Sequence, residues 1–391
     1  MRRGVLLATA TGFLLPNGAA AVGAEATSSS PGAVFSMTND PSANQITVFA
    51  RNADGTLDKR ETVPTGGMGT GGPEDSANGL ILANVNGESS PTNTKGAAKY
   101  LLALNGGSNS ISVFRNDPGG LELVDTEPSN GTRPISITVN RGVAYVLNAG
   151  AFMCSGLGEQ PNITGYTFDA DGQLAPIPGS TRPLSGIPNS GCTQVAFDKT
   201  GKVVIVDEQQ ADVITTYTRN ADGTLSQPTP QQSTGNGPFG LNFTQRNQLL
   251  TTENFGALPA QGALASYAID EATGTLTPLS PSVRNAQSDT CWVVITDDNK
   301  YAFTSSFGDD GGLSSYRVRP DGSLELLNAQ AATVGAGSSD LTLSGNSKYL
   351  YAKNSLLGTI TAFRIEDDGA LTQIDQERDD SVFGSIGLAG S

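Results

Sequence analysis

Apolar and polar residues alternate over short stretches along most of the chain, and each stretch stops at glycine, proline, asparagine or aspartate. A period of two places successive side chains on opposite faces of a strand, so the pattern predicts short β-strands and tight turns rather than helices. The most regular signal is a hairpin: an apolar residue, two positions, Tyr or Phe, a turn holding Gly, then Leu two residues on. It recurs at 46–57, 111–121, 163–174, 213–225, 264–276, 313–324 and 360–371, and the heptapeptide Arg-Asn-Ala-Asp-Gly-Thr-Leu stands at both 51–57 and 219–225. Glycine takes a positive φ without steric cost, which makes Asp-Gly between alternating runs a strong hairpin signal. The turn glycines are Gly55, Gly119, Gly172, Gly223, Gly274, Gly322 and Gly369, spaced 64, 53, 51, 51, 48 and 47 residues apart.

Two more strand-like runs precede each hairpin: 135–139 and 143–147 in the third unit, 195–197 and 203–206 in the fourth, 341–343 and 349–352 in the seventh. Each unit is therefore four short antiparallel strands, repeated at about 50 residues, the period of propeller blades. The first unit starts at its second strand, 34–37, while the tail 385–389 follows the seventh hairpin with no hairpin of its own. Pairing that tail with the first unit removes an open sheet edge. The expected fold is all-β: one seven-bladed β-propeller over 32–391, closed by pairing the C-terminal strand with the N-terminal blade. The segments 84–98 and 151–161 lengthen loops in blades two and three, and the Gly-rich run 65–72 reads as a blade connection because it lacks the Gly-Lys-Ser/Thr of a phosphate loop.

Composition narrows the chemistry. The formal charge is −15, with 23 Lys and Arg against 38 Asp and Glu, a surface that repels phosphate backbones and anionic lipid. Nucleic acid and membrane are excluded as partners on that ground. Histidine is absent, which removes Ser-His-Asp and Cys-His catalysis and every His-ligated metal. No cofactor is expected. Arg2-Arg3, an apolar run over 4–15 and small residues ending at Ala24 have the form of a secretory signal, 1–24, followed by a short linker, 25–31. Secretion, to the medium or a cell wall, and a monomeric state are the expectations. Of three cysteines, Cys154 and Cys192 make the more plausible disulfide, since the loop of Cys154 adjoins blade four, leaving Cys291 as a buried thiol. Asn130, Asn162 and Asn242 head glycosylation triplets; Asn130 and Asn162 are the expected sites, because Asn242 falls inside a strand.

The blades written Gly-Thr-Arg-Pro-Ile-Ser-Ile-Thr-Val-Asn-Arg-Gly-Val-Ala-Tyr-Val-Leu-Asn-Ala-Gly (131–150) and the stretch 346–374 resemble those of the seven-bladed lactonases, a family that includes propeller-type 6-phosphogluconolactonases and fungal carboxymuconate cyclases. The resemblance spans the mature chain. It implies hydrolysis or formation of a lactone ring of an anionic sugar acid or muconate, at a central pocket built from His, Arg and Glu. This sequence has Cys192-Thr193-Gln194 where the family's blade-four His is expected. It has Pro238-Phe239-Gly240 in place of Arg-His in blade five, and Cys291-Trp292 in place of an Arg in blade six. The family's Glu falls at Glu253 with a one-residue shift, Asn254 being the stricter match.

Aligning the units on one another gives the candidate ring. The residues closing the second strands are Asn39, Asn105, Asn148, Glu208, Glu253, Ser306 and Asn354. Asn there suits a side chain bonding the backbone two residues on. Glu208 and Glu253, in adjacent blades, form the candidate catalytic pair, one raising the pKa of the other so that it acts as a general base; the alternative is two turn-bonding glutamates. They could also chelate Ca²⁺, but too few fixed ligands accompany them, so no metal is assigned. Arg133, Gln194, Trp292 and Asp340 are the candidate substrate-binding residues: Arg133 as holder of an anion, Trp292 as a platform for a sugar or as blade packing, Asp340 as a ligand contact or a loop bond. The expected partner is a small anionic lactone or a carbohydrate. The competing expectation is a non-catalytic secreted or cell-wall glycoprotein that uses the propeller as a binding scaffold.

Overall fold

A computed structural model describes Met1 and residues 31–87, 98–308 and 311–391. Nearly all of the assigned leader and linker, and the middle of the long blade-two loop, lie outside these residues. Seven antiparallel sheets follow in chain order. Their first strands are Leu388–Gly390, Leu80–Ala83, Pro134–Asn140, Cys192–Phe197, Pro238–Phe243, Thr290–Ile295 and Ser338–Leu343. Each packs against the first strands of both neighbouring sheets, and the series returns to its start, so the blades surround one axis. Among the described residues blade three has a fifth, short strand, Arg182–Pro183, which pairs with the third strand at Asn162 and Ile163, further along it than the outer strand does.

The ring closes as the pattern predicts. Leu388–Gly390 pairs with Gly32–Met37, setting Phe35 opposite Ala389 and Ser36 opposite Leu388, so blade one takes its innermost strand from the end of the chain and the other three from its beginning.

The core is divided as the symmetry requires. Seven apolar clusters fill seven blade-to-blade interfaces, for example Ile137, Val146 and Tyr166 with Ile81 and Leu102 between blades two and three. Alternation along each strand gives one set of side chains to each neighbour, which is why period two runs through both faces of a blade. The hairpin motif has a packing role as well as a turn role. Tyr349 and Tyr351 of blade seven donate their hydroxyls to Ala53 O and Gly55 O in the blade-one hairpin, and Tyr100 of blade two donates to Ala170 O in that of blade three. Gly55 has φ 90°, and a Cβ there would fall 2.3 Å from the Tyr349 ring. One glycine thus satisfies the turn and the docking of the next blade. In blade two the left-handed residue is Gly120 rather than Gly119, because Pro118-Gly119 form a two-residue turn between the paired Asp117 and Gly120.

Candidate functional site at the channel mouth

One face of the ring carries the loops that end each second strand and the connections that lead from each outer strand to the next inner strand. Five of those connections span 4–8 residues and the one to the tail 9; the first, 65–79, spans 15. It folds over the axis as a strap. Ala77 N–H donates to Thr193 O of blade four, Ser76 Oγ donates to Ile135 O of blade three, and the Trp292 indole N–H of blade six donates to Ser76 O. Beneath it Phe239 and Trp292 meet edge to face at 5.4 Å, and Ile386 and Ala77 complete an apolar plug. Trp292 is buried with its N–H spent, so it is part of the plug and offers no open ring face.

At five inner strands the pairing slips by a β-bulge at this end, after Pro134, Cys192, Pro238, Thr290 and Ser338. A bulge re-aims the next side chain and leaves backbone groups unpaired. Gln194 repairs the bulge of blade five: its Nε2 donates to Leu241 O at 2.9 Å and its Oε1 accepts Leu241 N–H at 2.8 Å. Gln194→Ala is expected to cost about 2–4 kcal/mol in urea denaturation, because it strands both groups in the interior. Asp340 accepts Gly387 N–H and Leu388 N–H, both at 3.0 Å, and pins the closing tail. Burial pushes its carboxyl up to about 7 against those hydrogen bonds and the nearby Lys353.

Glu208 and Glu253 are both buried and committed to their own blades. Glu208 accepts Ser185 N–H, Ser185 Oγ and Thr215 Oγ1; Glu253 accepts Gly235 N–H and the hydroxyls of Ser233, Thr234 and Ser282. Asn148 and Asn354 do the same work with the opposite polarity, donating Nδ2 to Ser129 O and to the carbonyls of Val334, Gly335 and Ala336. The closing residue of each of these four second strands clamps a blade connection, and glutamate stands where the connection offers hydroxyls. No hydrogen bond joins the two glutamates. Their charges reach Asp207 instead, which burial between blades four and five, aided by Glu253 and Glu208, lifts to about 8 despite a bond from Thr251.

The strap supplies the groups that sequence reasoning missed. Glu74 is buried, accepts Ile386 N–H, and is pushed by burial up to about 7, with Arg133 and Lys353 pulling it back. Asp75 is half-buried and is raised to about 6 by burial, opposed by a 2.9 Å bond from Gln209 Nε2 and reinforced by Asp289. Asn254 Nδ2 in turn donates to Gln209 Oε1 at 2.6 Å, so two amides fix the orientation of Asp75. Asp289 is also raised by burial and accepts the buried Cys291 thiol, whose own pKa burial drives upward. Across the strap stands Arg133. Its Nη2 donates to Pro73 O at 2.8 Å, its guanidinium lies 5.4 Å from the Phe152 ring, and its Nε is buried without a protein partner among the described residues. Burial lowers its pKa, offset by Glu74. Asp75, Asn78, Arg133 and Asp289 are among the non-glycine residues with positive φ, a conformation that Asp and Asn adopt readily and Arg seldom does. The one signal in the sequence was the length of the 65–79 connection, with Glu74-Asp75 in its second half.

Cys154 and Cys192 form a disulfide, Cα atoms 5.5 Å apart, that ties the long blade-three loop to the inner strand of blade four. Asn130 is exposed on the mouth face, Asn162 is half-buried at a strand start and accepts Asn148 Nδ2, and Asn242 lies on the inner strand of blade five.

A closed ring of seven antiparallel blades around one axis defines a seven-bladed β-propeller. The family described as lactonase, 7-bladed beta-propeller, matches residues 92–288 and 255–384, and the chain belongs to it. Solved structures of similar fold include a putative 6-phosphogluconolactonase of Bacteroides uniformis (16% identity, 92% of this chain and 99% of that one, TM-score 0.68). Another, from Bacteroides fragilis, is also a putative 6-phosphogluconolactonase (19% identity, 94% and 99%, TM-score 0.64). A third is the periplasmic gluconolactonase of Pseudomonas aeruginosa (16% identity, 92% and 98%, TM-score 0.65). No curated protein matches the chain.

Proposed function

We propose that this protein is a secreted lactonase that hydrolyses a small anionic lactone at the strapped mouth. The observations that carry the reading are a half-buried carboxyl on the strap that burial raises to about 6, Asp75, and an arginine that donates to the same strap at Pro73 O and whose buried Nε has no protein partner among the described residues, Arg133. Perturbed titratable groups gathered along one segment make that segment a functional-site candidate. Arg133 holds the carboxylate or phosphate of the substrate through its planar fork. Asp75, ionised above about pH 6, takes a proton from a water molecule as that water attacks the ring carbonyl. The acyl–oxygen bond then breaks, and the proton passes from Asp75 to the departing ring oxygen, so Asp75 ends as it began. This chemistry needs no histidine. The names of the similar structures agree with a sugar lactone as substrate.

A second reading, a non-catalytic secreted or cell-wall glycoprotein, is favoured by one observation: Glu208, Glu253, Gln194, Trp292 and Asp340 are all spent on internal bonds. A pH-stat assay on 6-phosphogluconolactone and gluconolactone separates the two. Arg133→Met is expected to raise KM at least tenfold for the phosphorylated lactone and to leave the neutral one nearly unchanged, while Glu208→Gln and Glu253→Gln alter stability more than turnover. Hydrolysis at the uncatalysed rate by the wild-type protein would establish the scaffold reading.

A further inference from the structure

The geometry points to a second ligand site, away from the axis, that binds a small uncharged molecule with an aliphatic body and one hydrogen-bonding end. The blade-three loop that carries Cys154 and the connection 184–191 leading into blade four enclose a cavity of about 360 Å³, within the range of small-molecule sites. Leu157, Ile187, Pro161 and Pro188 line it together with Gln160 and Asn189, and no charged side chain does. In a chain with net charge −15 that neutrality selects against ions of either sign. The volume suits a small molecule and is too small for a folded partner.

Three observations argue for a built pocket. The Cys154–Cys192 disulfide fixes one wall to the rigid inner strand of blade four, so the pocket is formed before any ligand arrives. Met153, Cys154 and Asn189 hold positive φ, strain at both rims of one cavity. Leu157 and Ile187 remain exposed to solvent, at 88% and 43%. That exposure belongs to a wider asymmetry. Met1 and Leu123 apart, the exposed large apolar side chains of the described residues all project from loops of the mouth face, among them Phe152, Leu258, Leu357 and Phe383. Apolar surface collected on one face marks recognition.

The site is separate from Arg133, so its test avoids lactones and turnover. Butanamide, hexanamide and octanamide are titrated calorimetrically into the full chain. Affinity is expected to rise about fourfold per added methylene as the chain is buried. Leu157→Gln and Ile187→Gln, at positions too exposed to threaten folding, should each weaken octanamide at least tenfold. No saturable binding, affinity independent of chain length, or binding that survives both substitutions would each overturn the proposal.

Discussion

Lys353→Ala should destabilise the protein by about 3–5 kcal/mol, the cost of leaving one partner of a buried ion pair uncompensated. Lys353 is fully buried on the second strand of blade seven, at the seam where the ring closes. Its ammonium lies 3.4 Å from Asp379 and donates to Ser36 Oγ at 2.9 Å and Met37 O at 2.8 Å, so one side chain joins blade seven, blade one and the connection to the closing strand. Asp379 in turn accepts the hydroxyls of Ser36 and Ser381. Removing the lysine strands a carboxylate and a carbonyl in the seam. The double variant Lys353→Met, Asp379→Asn should recover part of the loss, because it leaves no buried charge. Urea midpoints for Lys353→Met, Asp379→Asn and the double variant measure the coupling; simple additivity would show that the pair does not hold the seam.

The second large effect is on pH. Burial raises Glu74 to about 7, Asp75 to about 6, Asp207 to about 8 and Asp340 to about 7. Each folded-state value lies above the value of the unfolded chain, so the folded protein binds these protons more tightly. The stability they contribute is complete below about pH 4, where both states are protonated, and is lost as pH rises through 6 to 8. Each unit of difference is worth about 1.4 kcal/mol, and four groups act together, so the urea midpoint should fall by several kcal/mol equivalent between pH 5 and pH 8.5. Asp207→Asn should flatten the slope, since it replaces a carboxyl that is protonated at neutral pH by an uncharged group of the same shape. A midpoint that is constant or rises over that interval would refute the assignment.

The fold was legible because it is written seven times. Alternation, the Asp-Gly hairpin and the count of strands at the two ends together determine blade number and closure, and each is a local property that neighbouring blades only reinforce. The site was less legible, for two physical reasons. A bulge at the start of five inner strands shifts side-chain direction by one position, so counting along a strand placed Gln194, Trp292 and Asp340 in a ligand's path when they join blades. The glutamates were set apart from the asparagines by charge, although both serve one clamp, and which is used depends on hydroxyls some 20 residues away in sequence. Arg133 could be singled out because an arginine opening an inner strand stands out wherever its neighbours lie, and the structure sets it against the strap at Pro73. Asp75 was not, because a connection gives no periodicity to read.

The most direct test of the central claim, that the strapped mouth is the reactive centre, is the pH dependence of kcat/KM for hydrolysis of an anionic lactone. In the wild-type protein it should climb through an inflection near pH 6, where Asp75 ionises; in Asp75→Asn the inflection should vanish and the rate fall by about 10²–10⁴-fold, the worth of a general base. A wild-type profile without that inflection, or an Asp75→Asn protein that retains it at full rate, would contradict the account.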